Sequence, residues 1–125
     1  MIFAFVEDGT LDVHDDLAAV QRAYEGVDVE SEVVHFYDES GTYLDPQFIV
    51  PNRQGKTLGI FNWVSSGVFK LVPNPQAPQD TFAFALYETT VLSPNRWFTS
   101  LEQLKSDLAN KGVAVEFVPT KQREA

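Results

Sequence analysis

Residues 2–14 read IFAFVEDGTLDVH, and their reading decides the fold. Ile2 to Val6 is an apolar run of strand-forming residues. Glu7-Asp8-Gly9-Thr10 is a tight turn, in which Asp-Gly supplies the positive φ angles of a type I′ hairpin. Leu11 to His14 returns as a short partner strand. A chain that opens on an antiparallel hairpin commits the elements that follow to covering it or extending it.

Outward from the hairpin, Asp15 or Asp16 caps a helix whose Leu17, Val20 and Tyr24 share one face at the 3.6-residue period, with Gly26 placed to end it in a left-handed conformation. Val27 to Tyr37 reads as strand, Asp38-Glu39-Ser40-Gly41 as a turn, and Thr42 to Leu44 as its return, broken by Asp45-Pro46. Phe48 to Val50 is extended and Pro51 to Lys56 a basic surface loop. Leu58–Val64 and Val68–Val72 are strand runs divided by Ser65-Ser66-Gly67, which suggests a hairpin carrying Trp63. Thr81 to Glu88 alternates like a strand. Ser93 to Arg96 is a loop, and Ser100 with Gln103 forms a capping box for a helix with Leu101, Leu104 and Leu108 on its apolar face. Lys111-Gly112 closes that helix, Val113 to Val118 is the last strand, and Thr120 to Ala125 is a frayed tail.

The two ends echo each other. Ile2-Phe3-Ala4-Phe5 resembles Thr81-Phe82-Ala83-Phe84, Leu17, Val20 and Tyr24 correspond to Leu101, Leu104 and Leu108, and Gly26 to Glu30 matches Gly112 to Glu116. The expected fold is therefore α+β: one domain over residues 1–125, a mostly antiparallel sheet of six to eight strands, and two helices packed on one face. Two β(β)αβ units would flank central hairpins.

Charge is unevenly placed. Of 18 carboxylates, 12 lie in residues 1–45 against one base, Arg22, giving −11; the remainder holds six carboxylates and eight bases, giving +2, for the overall −9. Such a surface repels nucleic acid and anionic lipid and attracts basic proteins through a field that salt weakens. The apolar opening stops at Glu7 without a basic lead, so it is neither signal peptide nor membrane span, and a cytoplasmic location is expected.

No cofactor and no metal are expected. The absence of Cys excludes thiolate zinc sites, thiol nucleophiles and disulfides. Gly55-Lys56-Thr57 lacks the leading glycine and following helix of a phosphate loop, His14 beside Asp12, Asp15 and Asp16 lacks a calcium-loop pattern, and Ser65-Ser66 lacks a hydrolase elbow. The chain is thus expected not to be an enzyme.

The stretches Phe3 to Leu11, Glu25 to Glu30, Phe36 to Gly41 and Ser100 to Leu104, in a small acidic Cys-free domain, together resemble bacterial immunity proteins of polymorphic and contact-dependent toxin systems. The resemblance is one of type. It implies a protein that binds and blocks a cognate toxin domain. Charge itself nominates the contact residues: Asp12, Asp15, Asp16, Asp28, Glu30, Glu32, Asp38 and Glu39, with Tyr37 and Tyr43 as aromatic anchors over a cationic, nuclease-type site. The first alternative is a small enzyme or ligand-binding domain with a pocket from the central hairpins around His35, Trp63 and Tyr87. The second is a phage or secretion-apparatus adaptor, which would form a stable homo-oligomer.

Overall fold

The computed structural model describes residues 1–57, 61–65, 67–77 and 80–118, with 54–57, 61–65 and 80 as backbone alone. In chain order the elements are β1 Ile2–Val6, β2 Thr10–His14, α1 Leu17–Ala23, α2 Gly26–Glu30, β3 Val34–Asp38, β4 Tyr43–Val50, β5 Arg53–Thr57, β6 Phe61–Ser65, β7 Val68–Asn74, α3 Asp80–Glu88, β8 Val91–Leu92 and α4 Leu101–Asn110. Six strands form one sheet in the order β7-β4-β3-β1-β2-β8, and β5 pairs with β6 in a separate ribbon. All pairs are antiparallel except β2 with β8. The α+β class and the mostly antiparallel sheet are as the sequence indicates.

The described residues form four helices, and they cover both faces of the sheet. Successive side chains of a strand point to opposite sides. Phe3, Phe5, Leu11, Val13 and Tyr37 therefore meet Phe82 and Leu86 of α3 and Leu104 and Leu108 of α4. Ala4, Phe36, Leu44 and Phe69 meet Val20 of α1 and Val29 of α2 on the other side. β1 lies at the centre of this sandwich, with Phe3, Ala4 and Phe5 all buried. A strand covered twice has no polar side, which is why residues 2–6 read as a continuous apolar run and not as an alternation. Each fully buried Phe contributes about 1.5–3 kcal/mol relative to its exposed state.

Several local readings change. The first turn is not type I′: Gly9 N donates to Val6 O at 3.0 Å, Gly9 has φ +92°, and Asp8 keeps a negative φ, so a single left-handed glycine ends the turn. Gly26 does not close α1, which ends at Tyr24 in extended backbone; it begins α2, where strand was expected. The residue that turns left-handed there is Glu32, at φ 60°. Glu32 N bonds to Val29 O and Val33 N to Asp28 O, the paired bonds of a Schellman ending with glutamate where glycine is usual. Gly112, at φ +88°, closes α4 by the same motif, as its position suggested.

Residues 81–88 form a helix, not a strand. The sequence Thr81-Phe82-Ala83-Phe84-Ala85-Leu86 fits a period of two as well as a helix, and Phe82, Ala83 and Leu86 are the buried set, while Phe84 and Tyr87 face outward. Residues 113–118 run without joining a strand ladder; Val115 enters the core and Phe117 lies against α3. These changes dissolve the internal echo, because a strand at 2–5 matches a helix at 81–84 and a helix at 26–30 matches irregular chain at 112–116. The tail expected at 120–125 lies outside the described residues.

Pro46 does not break β4. Pairing of β4 with β3 ends at Leu44, while pairing with β7 continues past Pro46 opposite Leu71. Residues 53–56, read as loop, belong to β5, and β6 pairs with β5 while β7 pairs with β4, so the two runs expected to form a hairpin with each other pair elsewhere. Val50 faces Val68 and Arg53 faces Ser65, which preserves one register across Pro51 and Asn52. The β5–β6 ribbon thus prolongs the β4–β7 hairpin. At the junction Asn52 Oδ1 accepts from Gly67 N at 2.7 Å, and Asn52 Nδ2 donates to Glu30 at 2.8 Å. Only glycine fits at 67, since a Cβ there would lie 1.9 Å from the Val50 carbonyl oxygen.

Candidate functional site

Strand register divides the N-terminal acid into groups. Ile2 faces His14 on one side and Asp38 on the other, so Asp15, Asp16, Asp38 and Glu39 gather at one end of the sheet. Val6 faces Val34, which puts Glu7, Asp8 and Glu32 at the opposite end. Glu88, the last residue of α3, joins this second group: a Cβ on Gly9 would lie 3.7 Å from its carbonyl oxygen. Asp28 and Glu30 are exposed on α2, over the other face.

Several nominated carboxylates are engaged within the fold. Asp16 caps α1 by accepting from Ala19 N at 2.9 Å, and Asp38 Oδ1 accepts from Ser40 N and Thr42 N at 2.9 and 3.0 Å. Asp15 pairs with Arg96, Glu39 lies 3.5 Å from the Met1 ammonium, and Glu30 holds Asn52. Asp12 is half-buried and the most committed. It shares the side of the sheet occupied by its register partner Ala4, accepts from Tyr24 Oη at 2.6 Å, and accepts also from Ser93 Oγ. His14 Nε2 contacts Tyr24 Oη at 2.9 Å; since that hydroxyl donates to Asp12, Nε2 carries the proton given to it. Burial holds His14 below its ordinary value, against a smaller opposing effect of Asp12. Burial, then the Asp12 hydrogen bond and charge, push the Tyr24 phenol well up, so it stays protonated as a donor. This cluster ties β2, the end of α1 and the β8 edge together.

The aromatic candidates are also placed inward. Tyr37 is 6% exposed and packed edge-on against Phe5 and Tyr43 and at a tilt against Phe82, with a side-chain hydrogen bond to Thr81; burial raises its phenol value. Most of its surface is spent on core packing, and what remains of it lines the groove between β1, β3 and α3. Tyr43 is half-buried beside Tyr37 and His35, and burial, followed by the charge of Asp45, raises its phenol as well.

A concave surface lies at the Glu7 end. Between β1, β3 and α3 an open groove of about 580 Å³ is walled by Phe5, Val6, Tyr37, Phe84 and Ala85 and edged by Glu7, Glu88 and His35. Of the pocket expected around His35, Trp63 and Tyr87, His35 lines it and Tyr87 does not, being 57% exposed against Phe117; the Trp63 side chain lies outside the described residues. The signal for this groove was hidden, because Phe84 and Glu88 share it only once residues 80–88 are helical. A second hollow of about 290 Å³ lies between the β3–β4 turn and residues 112–114, and among the described residues no carboxylate, lysine or arginine lines it. Among the described residues no group of three or more His, Asp or Glu could hold a metal ion, and no helix is long and apolar enough to cross a membrane. Neither a protein-family model, nor a curated protein, nor a solved structure matches this chain.

Proposed function

We propose that this chain is a non-catalytic binding protein that neutralises a basic partner, a cognate toxin domain with a cationic, nuclease-type active site, and that it does so in the cytoplasm. One observation supports the reading most strongly. Nine of the twelve N-terminal carboxylates lie at the sheet ends and on α2, and among the described residues only two ion pairs offset them, Met1 with Glu39 and Arg96 with Asp15. An uncompensated field of this kind accelerates encounter with a positive surface and discriminates against nucleic acid. The test is co-expression with a basic nuclease-type toxin domain recovered as this chain's tight partner by pull-down from the source cell, followed by association kinetics with the purified pair. Growth should be rescued, and the association rate should fall steeply between low and high salt. No rescue, or a rate indifferent to salt, overturns the reading.

A ligand-binding or enzymatic role is favoured by one observation, that the groove places His35 with Glu7 and Glu88 around an apolar floor. It predicts that His35→Gln abolishes turnover or binding of a small ligand while toxin neutralisation is untouched.

A further inference from the structure

We infer that the groove between β1, β3 and α3 is the point at which an arginine side chain of the partner docks, an inference that rests on the proposed function and gives it a location. The walls and the rim ask for a residue that is apolar along its stem and cationic at its tip. Phe5, Val6, Phe84 and Ala85 form walls, and among the described residues no lysine or arginine lines the groove. Glu7 and Glu88 are exposed at its edges, and neither forms an ion pair among the described residues.

The backbone adds to the attraction. Glu88 is the C-terminal residue of α3, where unpaired carbonyls concentrate the negative end of the helix dipole. Part of that end is already bound, since Thr89 N bonds to Leu86 O at 3.1 Å and Thr89 Oγ1 to Ala85 O at 2.7 Å. Arginine suits the site better than lysine. Its three methylenes lie flat against aromatic walls, its planar head stacks on a ring, and its fork meets a carboxylate with two parallel bonds.

Beside the groove the outer side of α3 forms an aromatic ledge. Phe84 is 43% exposed and Tyr87 57%, and both are held by Phe117 at ring distances of 4.9 and 5.5 Å. A ledge of fixed aromatic rings next to a charged slot is the arrangement in which a central arginine becomes a dominant contact, because its neighbours exclude water from the charge pair.

The experiment uses the full chain and a capped pentapeptide, acetyl-Gly-Val-Arg-Val-Gly-amide, followed by amide shifts in ¹⁵N NMR. Saturable shifts are expected at Glu7, Gly9, His35, Ala85 and Glu88, with affinity reduced about ten-fold or more when citrulline replaces arginine, and likewise in the Glu7→Gln/Glu88→Gln variant. Both substitutions are on exposed side chains, and an unchanged spectrum elsewhere confirms that the variant is folded. Equal binding of the citrulline peptide, shifts confined to the Asp15–Asp38 end, or the same groove amides shifting on dilution because a second copy fills them, each overturns the inference. The two proposals fail separately. A toxin domain neutralised equally by wild type and by the Glu7→Gln/Glu88→Gln variant removes the groove and leaves the function, whereas arginine-specific groove binding with no toxin rescue does the reverse.

Discussion

Replacing Asp12 by alanine separates a structural carboxylate from a partner-facing one. Asp12 accepts two hydroxyl hydrogen bonds, from Tyr24 Oη at 2.6 Å and from Ser93 Oγ, at a half-buried position on β2. A hydrogen bond to a charged group is worth about 1.5–3 kcal/mol. Two such bonds, taken near the lower end because the site is half open to water, give a loss of about 3 kcal/mol. With a urea slope of about 1–3 kcal/mol/M, the unfolding midpoint should fall by about 1–3 M. Melting should drop by about 10 °C, given roughly 3–5 °C per kcal/mol for a chain of this length. Tyr24→Phe and Ser93→Ala should each cost about 1–1.5 kcal/mol, and each should cost less in the Asp12→Ala background, because the bond is already gone. Asp12→Asn should sit between, since its amide oxygen can still accept one bond and its NH₂ can donate to the other hydroxyl oxygen. The assay is urea unfolding monitored by circular dichroism. A midpoint for Asp12→Ala within about 0.3 M of wild type, or strictly additive doubles, would show that the cluster does not hold β2 to α1 and β8.

Gly67→Ala would place a Cβ 1.9 Å from the Val50 carbonyl oxygen and 2.7 Å from Pro51 C, both backbone atoms, so the arm should part at its root. Amide exchange in β5 and β6 should accelerate well before that in β1, and equal protection in variant and wild type would refute this. Glu32→Gly relieves a left-handed glutamate at φ 60° and should raise stability by about 1 kcal/mol in thermal melts; a fall would mean that the side chain holds something the fold needs. For pH, burial lowers the folded-state value of His14 below 6.5, so as pH falls below about 6.5 the unfolded chain takes up a proton that the folded chain resists. Stability from this residue is complete above about pH 6.5 and is lost as pH drops through the depressed folded value. The urea midpoint should therefore decline less between pH 7 and pH 5 in His14→Gln than in wild type.

Much of the scaffold is legible in residues whose neighbours in sequence are also their partners in space. The Asp16 cap, the Ser100 cap with Leu104 and Leu108 buried behind it, the Asp38 to Gly41 turn and the Gly112 ending are all local, and each is built as its residues indicate. The misread elements have another character. Residues 26–30 and 80–88 contain valine, phenylalanine and alanine in patterns that fit two periods, and local preference for either is small. What separates the alternatives is the place left for them: α3 must bridge from β7 at one edge of the sheet to β8 at the other, across the side that bears Phe3 and Phe5.

By itself the sequence determined composition-level facts and local geometry: an acidic N-terminal third, an opening antiparallel hairpin, two capped helices and no thiol chemistry. Only the tertiary structure decided which carboxylates are free. Asp12, Asp16 and Asp38 are consumed by hydrogen bonds, and Asp38, the last residue of β3, lies at the opposite end of the sheet from Glu7, which follows β1, because the two strands pair antiparallel. Only it brought Glu88 of α3 beside Glu7 of the first turn, far apart in sequence, around a shared apolar groove. The physical reason is that charge is a property of a residue, whereas a site is a property of register and helix phase. Both are fixed by long-range burial, which removes or exposes a side chain without changing the residue itself.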